Sequence, residues 1–317
     1  MITGVSNISI LTQAITGLTN GQATLANLTQ QLSSGIRSSD LTDYTGLEAR
    51  TLVNGRNVQA KAESYIAAGK SVAPRLKLYE STLGALESLI NTTVSTIRTT
   101  QNAGAAAEQG VKAQIEGTMD QAAYYLNQKV GDRFLYSGTR YTAQPVGDLK
   151  TLPVPPAETF PVTNPALPPY DPAAPGSSAL AYTRDAVTLD DNLQLTYGIP
   201  STDSAIQNLI QGLRFAYAAT QDSGNYDTYM AQAGNLMDQA LSGIRSLRTQ
   251  IAGNQKILAE TENGQKTTIN LLQEQIDGIR SVDVTEVSAK ITSYESQLQA
   301  SYAATSKLIT LTLLDYL

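Results

Sequence analysis

Apolar side chains near the N-terminus recur at alternating steps of three and four residues. The series runs Ile8, Leu11, Ile15, Leu18, Gln22, Leu25, Thr29, Leu32 and Ile36. This spacing is that of a coiled-coil seam, and it predicts a helix over residues 7–34. Ser34-Gly35 supplies a stop, because glycine readily takes the left-handed conformation found at helix C-termini. Gly17 and Gly21 each cost about 1 kcal/mol inside a helix, so we expect this helix to need a partner.

A second seam near the C-terminus offers that partner. The same alternation links Val284, Val287, Ile291, Tyr294, Leu298, Ser301, Thr305 and Leu308, and apolar residues continue to Leu317. Apolar chain ends left in water usually fray, so we predict that these residues pack against the N-terminal helix or against other subunits. The predicted assembly interface consists of Ile8, Leu11, Ile15, Leu18, Leu25, Leu32, Val287, Ile291, Leu298, Leu308, Leu311, Leu314 and Leu317.

Two further long seams flank the middle of the chain. One extends over residues 58–97 with Pro74 inside it, where we expect a kink or a break because proline removes a helical hydrogen bond. The other extends over residues 237–279. Shorter apolar stripes over residues 111–130 and 206–217 predict two more helices.

The middle of the chain differs in composition from its flanks. Nine of the twelve prolines fall between Pro153 and Pro175, which rules out a regular helix there. Residues 186–189 and 193–197 flank an Asp-Asp-Asn turn and predict a small β-hairpin. The two aspartates could bind a hard cation, but the ligand spacing of a calcium loop is missing, which favours a turn. The helix after this hairpin is expected to be capped within residues 201–203 by Ser201, Thr202 or Asp203.

These segments predict a mainly α fold, an elongated rod of long antiparallel coiled-coil helices with a small β or irregular domain inserted at the tip. The aromatic content of 6%, with no Trp, suits thin helical bundles. We predict a terminal coiled-coil assembly domain from residues 1–39 and 285–317. Residues 40–140 and 201–284 would form a helical rod domain, and residues 141–200 a small Pro-rich outer domain with the hairpin.

Composition excludes several classes of function. The chain of 317 residues has no Cys and no His, which removes thiolate nucleophiles, Ser-His-Asp triads and nearly all zinc sites. Its net charge is −6, and no run of Lys and Arg suggests nucleic-acid binding. Polar residues interrupt every apolar run of the uncharged N-terminus, and no basic segment precedes it, so we expect neither a membrane span nor a cleaved signal peptide. We expect a structural protein without catalytic, cofactor or metal residues, not an enzyme.

Three short motifs resemble segments of bacterial flagellins and their relatives. Residues 31–37, Gln-Leu-Ser-Ser-Gly-Ile-Arg, resemble the motif that closes the first helix in this family. Residues 127–139 are similar to the segment where the hook-associated members leave their helix for the outer domain. Residues 301–308 and 313–317 resemble the C-terminus of those members more than that of filament flagellins. The matching positions are Leu32, Ser33, Ser34, Gly35, Arg133, Ser137, Gly138, Asp315 and Tyr316.

The resemblance implies a secreted structural component of the extracellular bacterial flagellum, and hence a role in motility. In this family the terminal helices pair into an inner tube, and the subunits leave the cell through the flagellar type III export channel. The implied partners are copies of the chain in a helical ring, the neighbouring axial proteins (hook-associated protein 1 and flagellin), an export chaperone and the export gate. The first expectation is the junction between hook and filament. The alternatives are a short flagellin that polymerises into the filament and, more remotely, a secreted coiled-coil tip or translocator protein.

Overall fold

The computed structural model describes residues 2–100, 108–151 and 183–314, with side chains for 12–100, 110–151 and 183–307. Long helices dominate, which confirms the predicted mainly α class. The helices are α1 (Ile2–Ser34), α2 (Gly46–Thr100), α3 (Glu108–Leu126), α4 (Ser204–Ala219), α5 (Tyr226–Arg280) and α6 (Val284–Leu314). The strands are β1 (Lys129–Val130), β2 (Arg133–Phe134), β3 (Ala186–Asp190) and β4 (Leu193–Thr196). Short 3-10 helices cover Leu41–Asp43, Leu149–Thr151 and Ser223–Asn225.

The strands form two small antiparallel hairpins. In the first, Lys129 lies opposite Phe134. In the second, Ala186 lies opposite Thr196, with an irregularity between Thr188 and Asp190. The second hairpin is the one that alternation around the Asp-Asp-Asn turn predicts. Its Asp191 accepts hydrogen bonds within the structure, from Tyr65 Oη at 2.6 Å and from Lys61 Nζ at 2.5 Å.

The helix ends follow the sequence signals. Helix α1 ends at Ser34, and Gly35 has a φ of 67°, the left-handed conformation that stops a helix. Asp203 is the residue that caps α4, where its side chain accepts a hydrogen bond from the Ala205 amide at 3.1 Å.

Two details of the sequence interpretation are wrong, and a third is narrowed. Helix α2 continues through Pro74, so of the expected kink or break the break does not occur; Val72 and Leu76 are buried on either side of the proline. Val130 is not on a helix but in β1, since α3 ends at Leu126. Ile36 lies beyond the end of α1, and therefore does not extend its seam.

The chain divides into two compact units, Met1–Ala60 with Thr268–Leu317 as the first and Lys61–Thr267 as the second. The first unit contains the α1–α6 pair and a small cluster of Tyr44, Leu52 and Ile276. The second unit contains the larger core, built from α2, α3, α4, α5 and the segments between them. Its largest fully buried side chains include Tyr79, Leu83, Leu86, Ile90, Ile97, Ile115, Met119, Leu126, Tyr136 and Phe215. The predicted three-part domain division stays a prediction.

Candidate assembly interface

Helices α1 and α6 of the first unit pair with each other in antiparallel orientation. A side chain at Gly21 would place its Cβ 2.8 Å from Leu298 Cδ2, so the glycine allows a close approach of the two helices. The next residue, Gln22, donates a hydrogen bond from Nε2 to the hydroxyl of Tyr302, which lies one turn beyond Leu298 on α6. The partner that the N-terminal seam requires is therefore present within the chain.

Apolar residues along this pair differ in how far the chain covers them. Leu28, Val287 and Leu298 are buried, together with Thr305. The predicted interface residues Leu18, Leu25 and Ile291 are half-buried, Leu32 is exposed, and Ile15 is 52% exposed. Ile8, Leu11, Leu308, Leu311 and Leu314 lie on the two helices, but their side chains are outside the described residues, as is the whole of Asp315, Tyr316 and Leu317. The described part of the pair thus leaves apolar surface uncovered by its own chain.

The segment 31–37 connects the end of α1 to the α5–α6 turn. The Gly35 amide donates to the Gln31 carbonyl at 2.9 Å and completes the helix stop. Ile36 then forms an antiparallel bridge with Ser281. On either side of it, the Arg37 amide donates to the Arg280 carbonyl at 2.8 Å and the Val282 amide donates to the Gly35 carbonyl at 3.1 Å. The left-handed glycine is needed because the chain must turn out of the helix directly into this bridge.

Arg37 holds the start of α2 in the same unit. Its Nη2 lies 2.7 Å from Glu48 Oε2, and its guanidinium lies 4.5 Å from the centre of the Tyr44 ring. Glu48 also accepts a hydrogen bond from the Thr45 amide at 2.9 Å, which makes Thr45 and Glu48 a capping box. The hydrogen bond from Arg37, followed by those from Thr45, lowers the pKa of Glu48 to about 2. The carboxylate is therefore ionised at every ordinary pH.

The segment 127–139, in the unit Lys61–Thr267, is the second motif segment that the structure describes. Asn127 pairs with the backbone of Val146 in both directions, at 2.8 Å and 3.1 Å. Tyr136 is fully buried, with its ring edge-on to Tyr79 at 5.2 Å and its hydroxyl 2.6 Å from Thr82 Oγ1. Burial raises the pKa of both tyrosines. This segment therefore fixes the outgoing chain to the long helix α2.

The predicted motif residues of this segment act through neighbouring loops. Arg133 stacks over the Tyr141 ring at 3.1 Å, and the Tyr141 hydroxyl donates to Asp185 Oδ1 at 2.7 Å. Ser137 Oγ donates to the Phe134 carbonyl at 3.1 Å. Gly138 has a φ of 62°, which few residues other than glycine adopt. These contacts make the motif a support for structure, and they offer no arrangement of acid, base and nucleophile.

Two features of the site were absent from the sequence interpretation. The first is the salt bridge between Arg37 and Glu48. The sequence indicates only that Glu48 lies at the start of α2, because Thr45-x-x-Glu48 has the spacing of a capping box. The burial of Leu28 on the α1–α6 contact was missed because Leu28 lies beside the strict three-and-four series.

In the described ranges there is no cluster of acidic side chains able to hold a metal ion. None of the helices in these ranges has the length and hydropathy of a membrane span.

Comparison with known proteins assigns the C-terminal part of the chain. Residues 235–317 match the family described as the bacterial flagellin C-terminal helical region, a stretch that contains most of α5 and all of α6. This part of the chain is flagellin-like. No curated protein sequence matches it significantly.

A solved flagellar structure shares the fold of this chain. A candidate flagellar hook-associated protein from Vibrio parahaemolyticus superposes with a TM-score of 0.59 at 13% identity, covering 75% of this chain and 100% of that one. FlgL from Bacillus cereus superposes with a TM-score of 0.43 at 14% identity, covering 74% and 100%. The first likeness shows a shared fold, and no argument rests on the second.

Proposed function

We propose that this flagellin-like protein is a structural subunit of the bacterial flagellum that forms the junction between hook and filament, as hook-associated protein 3 does. One observation carries the proposal. The helix pair α1–α6 joins an uncharged N-terminal segment to the flagellin-family C-terminal region, and its described part still exposes apolar residues such as Ile15. Such a pair gains stability by packing between neighbouring subunits.

The absence of charge supports packing rather than solvation for this segment. The first charged residue of the chain is Arg37, and it lies just after the end of α1. A charge buried between subunits without a partner is strongly unfavourable, so a helix that assembles in this way is expected to avoid one. We propose copies of the chain as the first partner, and the adjoining axial proteins, hook-associated protein 1 and flagellin, as the next. An export chaperone and the type III export gate would handle the chain before it reaches its extracellular location.

Leu18→Asp tests this role. Leu18 is half-buried in the free chain, so we expect the variant to fold but to be excluded from the flagellum, since assembly would bury its carboxylate. The measurement is the amount of variant in purified flagella, beside circular dichroism of the isolated protein. Leu18→Met, which keeps an apolar side chain of similar volume, should incorporate normally. Normal incorporation of Leu18→Asp would contradict the proposal, and loss of helix over the unit Lys61–Thr267 would contradict the local role of this residue. The corresponding change on α6, Leu308→Asp, is expected to have the same effect.

The proposal includes no catalytic role. Flagellin-like and hook-associated proteins are structural, and the motif residues of this chain make contacts that hold loops and helix ends. A short flagellin that polymerises along the filament is the second candidate, because the matched family region belongs to flagellins in general.

A further inference from the structure

A stripe of exposed residues runs along the first turns of α2, within the unit that contains α1 and α6. It consists of Leu47, Arg50, Asn54 and Val58, spaced by three, four and four residues, which places them on one face of the helix. Leu47 is 78% exposed, an unusual position for a leucine. Within the described residues, Arg50 has neither an ion pair nor a hydrogen bond from its side chain. We call this set the α2 stripe.

A complementary stripe runs along the end of α5 in the same unit. It consists of Leu271, Glu274 and Gly278, spaced by three and four residues, and all three are exposed. Leu271 is 61% exposed, and the Glu274 carboxylate has no partner among the described residues. Apart from the backbone of its own helix, no atom lies within 4 Å of the position that a Cβ on Gly278 would take, so a side chain from outside could lie there. We call this set the α5 stripe.

The two stripes face away from each other. Leu52 of α2 and Ile276 of α5 belong to one buried cluster. At 100° per residue, Arg50 lies about 160° around the helix from Leu52, and Glu274 lies about 160° from Ile276. Each stripe is therefore on the outer side of its helix, and the two cannot meet within one chain.

We propose that the α2 stripe of one copy docks on the α5 stripe of the next, with Arg50 pairing with Glu274. Their charges are opposite, their exposed leucines can cover each other, and neither set is satisfied within its own chain. Two different surfaces on one subunit make a head-to-tail contact, which generates rings or helical assemblies rather than closed twofold dimers. The inference rests on the proposed self-assembly and adds to it a named surface and a direction.

Cysteine cross-linking of the full chain tests the contact. Because the natural chain has no Cys, the variant Arg50→Cys with Glu274→Cys carries the only two thiols. In a head-to-tail contact each copy supplies one thiol to each neighbour, so mild oxidation of the concentrated protein should give a ladder of multimers. An equimolar mixture of the two single variants should stop at dimers, and either single variant alone should remain monomeric.

Arg56→Cys with Glu274→Cys is the matched control, since Arg56 is exposed on α2 but about 120° away from Arg50 around the helix. The double variant should form more multimers than this control by a factor on the order of ten. Equal multimer yields in the two, or dimers from either single variant alone, would overturn the proposal.

Charge reversal gives a second, independent measurement. Arg50→Glu alone and Glu274→Arg alone each bring like charges together at the contact, and each should lower the association constant by about tenfold. A mixture of the two variants restores opposite charges at every contact and should recover association. If the mixture associates no better than its components, the contact is wrong. These experiments use purified protein, so they separate this inference from the junction role, which depends on where the protein lies in the flagellum.

Discussion

Removing the Leu298 side chain should open the α1–α6 pair while leaving the larger core intact. Leu298 is 8% exposed and packs against α1 at Gly21. Leu28 and Val287 are the other buried apolar residues in the described part of this pair. Leu298→Ala therefore deletes a large share of the apolar contact that holds the two helices together.

The expected magnitude follows from large-to-small substitutions in protein cores. Replacing a buried leucine by alanine destabilises by about 2–5 kcal/mol, and the partial exposure of this site favours about 2–4 kcal/mol. If the pair opens locally, amide exchange in residues 12–34 and 284–307 should accelerate by about 30-fold to several hundred-fold. Exchange in Lys61–Thr267 should stay unchanged, because its core contains none of the lost contacts.

Hydrogen–deuterium exchange of the purified full chain, read by mass spectrometry, measures this directly. Val53→Ala is the control, since Val53 is exposed and lies outside the α2 stripe, so that its loss should change exchange by less than about twofold. Unchanged exchange in α1 would refute the claim that Leu298 holds the pair. Equal acceleration throughout the second unit would refute the claim that the pair opens independently.

Three further changes test the contacts that support the site. Tyr136→Phe removes the hydroxyl 2.6 Å from Thr82 Oγ1 and should destabilise by about 1 kcal/mol, lowering the melting temperature by about 2–4 °C. The pKa of Glu48 is lowered from 4.5 to about 2 in the folded chain, so its pairing with Arg37 stabilises the fold fully above pH 4.5. This stability is lost as the pH falls from 4.5 to about 2. Arg37→Met should therefore flatten the pH dependence of the free energy of unfolding between these two values. Gly35→Ala forces a side chain into left-handed backbone and should cost about 1–2 kcal/mol in urea denaturation.

Each of these three predictions has an outcome that would contradict it. The tyrosine variant should be compared with Tyr124→Phe, an exposed tyrosine, and an equal loss in both would contradict the buried hydrogen bond. An acid unfolding curve that is the same with and without Arg37 would contradict the salt bridge as the cause. A neutral Gly35→Ala would show that the helix stop tolerates a side chain and that the bridge at Ile36 is not dependent on it.

The helices could be predicted from the sequence because each signal is local. Three-and-four spacing, a glycine at position 35 and an aspartate at position 203 each act within one or two turns of chain. Val130 was assigned wrongly for the same reason. It continues the apolar spacing of α3, but the backbone leaves the helix at Leu126 and pairs as a hairpin, and two-residue strands give no periodic signal.

The contacts within the site could be predicted only where both partners lie close in sequence. The capping box of Thr45 and Glu48 is readable, whereas the ring contact of Tyr79 with Tyr136 depends on tertiary packing. Pairing of the terminal helices follows from their matching seams, but the seams do not fix which residues face each other. The close approach of Gly21 and Leu298 emerges only from the folded chain.

The position of the protein in the flagellum tests the central claim most directly. Intact flagella should be labelled with gold-conjugated antibody against residues 145–200 and imaged by electron microscopy. The account predicts label in one collar at the boundary between hook and filament. Label along the whole filament would instead identify a short flagellin, and absence of label from the flagellum would contradict the structural role altogether.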